Sequence, residues 1–422
     1  MFTLSFRAAG ALEEQSAAKN PRPCARSMVS AGDSSPRSAP PGRPPARNDR
    51  WTLLLVCLLL TTCARSKESA DIVVGEYGSL TGSEATFGQS THNGIALAVE
   101  EINAAGGVGG RKIRVITEDD QSKAEEAANA VTKLISSNDV SAIIGEVASS
   151  NSLAAAPICQ QNKVPMITPS STYPDVTKKG DYIFRLCFID TYQGPVLARF
   201  LVHDLGVKRA ALFTDIRSDY STGLGAAFEQ VFTSLGGTIV GRQSYSKGDS
   251  DYRSQLTAFK AANPEVILIP GYYNDVAPIA VQARDLGINV PLVGGDGWES
   301  PKLLEIGGKA LEGCMYSNHY HADDPAPAVR GFVTKYQARY GVRPDSLAAL
   351  GYDTTRVLAD AMRRAGPHFT RASLRDAIAA TTKFPVVTGV ITFDANRNPI
   401  GKRVVIDEIR NGKLELKKAI EP

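Results

Sequence analysis

The chain has 422 residues, long enough for two domains with well-filled cores, and its 43% hydrophobic and 22% charged content is that of an ordinary soluble globular protein. The formal charge of +3 sits at the start: residues 1–64 carry eight Lys/Arg against four Asp/Glu, leaving 39 against 40 in the rest. With no basic excess in the folded part, composition argues against a nucleic-acid partner.

Residues 1–50 are rich in Pro, Ser, Ala and Arg with almost no apolar periodicity, and read as a disordered extension or one from a start upstream of the true one. Arg47 and Arg50 then precede a dozen apolar residues from Trp51 and a small-residue end, so 51–64 reads as a signal peptide. That run is short for a membrane span. Leu60-Thr61-Thr62-Cys63 resembles a lipoprotein box, although Thr62 is unusual there; cleavage after Ala64 is the alternative. Either way a periplasmic location is expected for the remainder.

From Asp71 the chain alternates strand and helix patterns. A first strand, Asp71–Gly78, leads into a loop of small residues, Ser79–Gln89, that carries Phe87. Asn93–Ala105 has Ile95, Val99 and Ile102 at helical spacing, with Gly106 placed to end it. Gly106–Gly110 follows a helix and precedes the strand 112–117, the reverse of a dinucleotide fingerprint, and reads as a turn. Glu118-Asp119-Asp120 reads as a solvated loop with helix-start acids, before a helix with Ala127, Val131, Leu134 and Ile135 on one face.

Next come a strand 142–144, the polar turn Ser149-Ser150-Asn151-Ser152, a small-residue helix, a strand 164–167, and a second polar turn, Ser170-Ser171-Thr172. Two successive parallel strands thus release hydroxyl-rich loops at their carboxyl ends, where open α/β sheets bind ligands. Hydroxyls and free N–H groups at a helix start suit a carboxylate and supply no chemistry; ordinary helix caps are the plainer reading of either turn alone. A strand 182–188 and Ile189-Asp190-Thr191, leading to a helix near 195–205, complete one doubly wound lobe.

A second set repeats the pattern: strands 209–214, 237–245, 265–270 and 291–294, with Tyr220, Tyr272 and Gly295-Asp296-Gly297-Trp298 in the strand-end loops. After the strand 314–317, His319 and His321 with Asp323 and Asp324 hint at a metal, but a loop before Pro325 is the better reading, and no metal or cofactor is expected. Helices 327–340 and 347–364 return to the first lobe, and strands 387–393 and 404–410 are expected to divide between the lobes. Lobe 1 is therefore 71–189 with 320–398, lobe 2 is 190–317 with 402–422, and three crossings make a hinge. Cys24, Cys57, Cys63, Cys159, Cys187 and Cys314 form no CxxC pair; the last three sit among apolar residues as buried thiols, with a Cys159–Cys187 bridge left open.

The run Gly75…Ser79-Leu-Thr-Gly, Gly94…Ala104-Ala-Gly-Gly-Val-Gly-Gly, Glu118-Asp-Asp, Ile144-Gly and Pro165…Thr168-Pro-Ser-Ser-Thr resembles the leucine/isoleucine/valine-binding proteins. These are type I periplasmic binding proteins of ABC transporters, and the resemblance spans residue 71 to the end. It implies a ligand carboxylate held by Ser149 and Thr172, and an ammonium held by the Ser170 carbonyl, Asp296 and Asp190. It further implies pocket aromatics at Tyr220 and Tyr272, with Phe87 at the side-chain end. The implied function is a monomeric receptor that delivers an amino acid to membrane permease subunits. Two departures stand out: no cysteine lies near Gln121 or Val147 for the first-lobe disulfide of some relatives, and Glu146 and Trp298 differ from the expected pattern. A sensory module for amides, urea or another small polar solute is the alternative. An enzyme is disfavoured, because Ser149 and Ser150 lack a G-x-S-x-G elbow and His92, His203, His319, His321 and His368 are scattered.

Overall fold

The computed structural model describes residues 71–422; the expected extension, the signal peptide and Cys63 lie outside the described residues. The β-branched run of β1 (Ile72–Gly78) pairs in parallel with β2 (Ile113–Asp119) on one side and β3 (Ala142–Ile144) on the other. With β4 (Met166–Thr168) and β5 (Ile183–Arg185) the sheet order is β2-β1-β3-β4-β5. Chain direction through the sheet reverses between β1 and β3, so the loops after these strands diverge and open a crevice at their carboxyl ends.

The second lobe repeats this order. β6 (Arg209–Asp215), β7 (Thr238–Tyr245), β8 (Val266–Leu268), β9 (Leu292–Gly294) and β10 (Met315–Asn318) run β7-β6-β8-β9-β10. β11 (Phe384–Val386) and β12 (Gly389–Ile391) form a small hairpin of their own. β13 (Val404–Arg410) and β14 (Lys413–Ile420) add an antiparallel edge to β10, giving seven strands. Two doubly wound α/β lobes thus face one another, joined where the chain crosses between sheets at 186–189, 319–326 and 392–403.

Several expectations need correction. The first helix, α1, spans Ala85–Ala104, so Phe87 lies in its first turn and not in a loop. Its buried stripe runs Phe87, Thr91, Ile95, Ala98 and Ile102; Thr91 and the small residues around it hide the period from a hydrophobicity reading. The acids 118–120 are not a solvated loop: Glu118 and Asp119 end β2, Asp119 accepts from Leu80 N and Thr81 N, and Asp120 is buried. The segment 387–393 joins neither main sheet, and the terminal strand β14 and the helix Arg371–Ala379 were not anticipated. Cys159, Cys187 and Cys314 are buried free thiols.

Helix α1 packs on the late helix α10 (Ser346–Ala365), returning the chain to lobe 1. Gly94 and Gly351 mark the contact, where a Cβ would stand 2.0 Å from Ala348 O and 2.4 Å from Thr91 O respectively. That approach of two backbones fixes the start of α10 beside the start of α1. Among the described residues no helix is long and apolar enough to cross a membrane.

Candidate binding cleft

Two loops of lobe 1 build one wall. Ser149 opens helix α3 (Ser149–Gln161), so its first-turn N–H groups have no helical carbonyl to bind. Its Oγ accepts from Tyr173 N at 3.2 Å, leaving the hydroxyl proton for another acceptor. The loop after β4 is tied to the loop after β3: Ser171 Oγ donates to Glu146 O at 2.9 Å and shares a 2.7 Å bond with Ser152 Oγ. Arg185, fully buried, donates to the carbonyls of Ser171 (2.6 Å), Tyr173 (2.9 Å) and Pro174 (3.1 Å) and holds the loop from beneath. Ser170 and Thr172 are thereby presented on a rigid turn.

Lobe 2 supplies the other wall. Tyr220 lies in the first turn of α5 (Asp219–Ser234), and Tyr272 precedes α7 (Tyr273–Asp285). Their rings stack at 5.2 Å and 7°, and Phe87 meets Tyr272 edge-on at 5.3 Å. Tyr220 Oη accepts from Gly297 N at 3.1 Å, fixing the turn that carries Asp296.

Phe87, Val147, Ser149, Ser170, Thr172 and Leu347 from lobe 1 and Tyr220, Tyr272, Asp296 and Gly297 from lobe 2 surround one cavity. Seven of the eight site residues expected from sequence are in this set. Asp190 is not: it is fully buried behind Thr172, whose carbonyl accepts from Asp190 N at 3.0 Å. Burial drives the Asp190 carboxyl well above the usual range and the charge of Asp296 adds to this, while the Thr172 hydroxyl and Arg185 offset part of it. Val147, Gly297 and Leu347 were missed. The first two are neighbours of expected residues in the same strand-end loops; Leu347 arrives through the α1–α10 contact, for which the chain carries no local signal.

The cavity has two chemical ends. Ser170 Oγ and Thr172 Oγ1 are buried without a well-formed hydrogen bond among the described residues, a costly condition unless a ligand provides partners. Asp296 places a buried carboxylate in the same cavity. Phe87, Val147 and Leu347 form an apolar wall, continuous with the lobe 2 core. Such a cavity offers hydroxyl donors for an anion, a carboxylate for a cation and hydrocarbon for an aliphatic group.

The two departures from pattern serve the scaffold. Glu146 accepts from Ser79 N (3.1 Å) and Ser79 Oγ (2.9 Å), joining the loops after β1 and β3. Trp298 is buried in the lobe 2 core with Nε1 donating to Ile269 O at 2.9 Å. His319 and His321 do not converge on a common site: they bond different carboxylates, Asp296 and Asp407.

Contacts across the mouth hold the lobes together. Lys247 Nζ of lobe 2 lies 2.6 and 2.8 Å from the carboxylate oxygens of buried Glu84 and 3.1 Å from Ser122 O in lobe 1. Ser150 Oγ donates to Asp219 Oδ2 at 2.7 Å, Tyr273 Oη to Ser83 O at 3.0 Å, and Thr86 meets Ser300 at 3.0 Å.

The chain is similar to several solved structures. The leucine-binding protein LivK of Thermotoga maritima is 41% identical, with a TM-score of 0.80 over 83% of this chain and 99% of that one. The branched-chain amino acid transporter substrate-binding protein LivJ of Streptococcus pneumoniae, solved with isoleucine, is 33% identical, with a TM-score of 0.79 over 83% and 100%. A solute-binding protein of an ABC transporter from Rhodopseudomonas palustris BisB5, solved with 3,4-dihydroxybenzoic acid, is 25% identical, with a TM-score of 0.75 over 84% and 98%. These relatives are binding proteins and not enzymes. Residues 71–413 match the family described as periplasmic binding protein, and the chain belongs to that family, among its branched-chain amino acid-binding members.

Proposed function

We propose that the protein is the extracytoplasmic receptor of an ABC transporter, binding an aliphatic, branched-chain amino acid between its lobes and closing around it. The observation that carries this reading is the pairing of lobe 1 hydroxyls, Ser149, Ser170 and Thr172, with the Asp296 carboxylate from lobe 2 in one cavity. The ligand carboxylate is taken by Ser149, Thr172 and the first-turn amides of α3. The ammonium is taken by Asp296 and the Ser170 carbonyl; Asp190, whose buried carboxyl lies behind Thr172, does not reach it. Phe87, Tyr220 and Tyr272 enclose the side chain.

Because the two charged ends of the ligand belong to different lobes, binding favours the shut form over the open one, and the shut form is what permease subunits in the membrane would recognise. Lobes 71–189 with 320–398 and 190–317 with 402–422 move about the three crossings. Export by the 51–64 segment, with or without a lipid on Cys63, delivers a monomer to the periplasm.

Isothermal titration against the twenty amino acids, urea, simple amides and 3,4-dihydroxybenzoate tests the reading. Leucine, isoleucine or valine should bind most tightly. An aromatic acid has no cation for Asp296 and should bind weakly, despite the dihydroxybenzoate found in one relative. No binding by any amino acid ends the proposal.

A further inference from the structure

Asp296 does not stand alone in the cleft wall. Its Oδ1 accepts from Gln193 Nε2 at 2.9 Å, and its Oδ2 lies 3.1 Å from His319 Nε2. Gln193 is in α4 (Asp190–Arg199), directly after the first crossing between the lobes, and its Nε2 also donates to Ser317 Oγ of β10 at 2.9 Å. His319 belongs to the second crossing. Its ring stacks on Phe188 of the first crossing, centroids 3.8 Å apart and planes 28° apart. Two of the three hinge segments therefore meet each other, and the second of them and the helix that follows the first send one donor each to the same carboxylate.

Both donors are fully buried. Burial lowers the His319 pKa, with the Asp296 bond offsetting part of this, so the ring is neutral near pH 7 and its Nε2 carries the proton that faces Asp296. A neutral donor orients the carboxylate without cancelling its charge, which a lysine or arginine in the same place would do. Oδ1 and Oδ2 are each fixed by one bond, and each keeps acceptor capacity for a ligand cation.

From this arrangement we propose that His319 and Gln193 are positioning residues: they hold the Asp296 carboxylate at the angle that receives the ligand ammonium, and they tie that carboxylate to the hinge. The inference rests on the amino-acid reading of the cleft and goes beyond it by naming residues that touch no ligand. It also gives a route from ligand charge to lobe geometry. A cation that draws on Asp296 draws on a group whose other two bonds end in the second crossing and in the helix that directly follows the first.

The test compares leucine with 2-hydroxy-4-methylpentanoate, which keeps the carboxylate and side chain but replaces the ammonium with a hydroxyl. Dissociation constants of both are measured, the weaker one by competition, for the wild-type protein and for His319→Leu, Gln193→Met and His319→Gln. Loss of one hydrogen bond to a buried charge should weaken leucine about 10-fold or more in His319→Leu and in Gln193→Met, and the hydroxy acid less than about 3-fold. His319→Gln, which can present an N–H near the same place, should recover most of the leucine affinity. If both ligands weaken equally, the two residues serve only the fold of the hinge and the proposal is overturned; Gln193→Met decides if His319→Leu does not fold. Unchanged leucine affinity in both variants overturns it as well. A wild-type protein that binds no leucine instead removes the amino-acid reading, and this inference with it.

Discussion

Asp296 and Thr172 come from opposite lobes, and removing each should leave a different signature. Asp296→Ala deletes the carboxylate that meets an ammonium in a buried setting, and should cost about 2–5 kcal/mol of leucine affinity in titration. Thr172→Val keeps the shape and deletes one donor to the ligand carboxylate, costing about 1.5–3 kcal/mol. Unlike Asp296→Ala, it should weaken deaminated analogues as much as leucine. Glu299 offers a separate test by pH. It accepts from Tyr316 Oη at 2.9 Å, from Asn318 Nδ2 and from Ser346 N at 3.3 Å. Burial, then the charges of Asp345 and Asp407, push its carboxyl up to about 8 from an ordinary 4.5. The folded state thus binds an extra proton between those values. Its contribution to stability is complete below pH 4.5 and is lost as pH rises toward 8. Glu299→Gln should flatten this decline, on the order of a few kcal/mol, in melting temperatures taken from pH 5 to 8. An identical decline in wild type and variant would rule Glu299 out as its source.

At the scale of elements, the α1–α10 contact is the most exacting. A methyl group on Gly94 would collide with Ala348 O, a backbone atom that cannot swing away. Gly94→Ala should destabilise the protein by about 1–3 kcal/mol in denaturant melts, although alanine is the better helix former. A stabilised variant would mean that the helices are further apart than described. The same contact shows where sequence reasoning reached its limit. The strand-end loops were legible, because polar turns after short β-branched runs have local signals, and Ser149, Ser170, Thr172 and Asp296 all lie in them. Helix starts were not. α1 and α4 begin eight and five residues earlier than the pattern suggests, and Tyr220, read as a loop residue, lies in the first turn of α5; Phe87, Asp190 and Tyr220 all stand in first turns that carry few apolar residues. Leu347 was out of reach for another reason: its place depends on two glycines some 250 residues apart in the chain.

On the scale of the whole molecule, two lobes of the same strand order meet across a cleft, and what lies in the cleft is set by which strand ends face it. Lys247 reaches from one lobe to a buried carboxylate of the other and is itself about one-third exposed, so its contribution to closure is moderate. Lys247→Ala should weaken every ligand by a similar factor, about 10-fold (~1.4 kcal/mol), because it acts on the closed form and not on any ligand atom. A ligand-selective loss would place Lys247 in the recognition machinery instead. The account rests on a dipolar guest bridging two halves, and its most direct test is titration of the wild-type protein with leucine, 4-methylpentanoate and 3-methylbutylamine. If the cleft grips both charged ends, each truncated analogue should bind at least about 100-fold more weakly than leucine. Equal binding of leucine and either analogue would contradict the account.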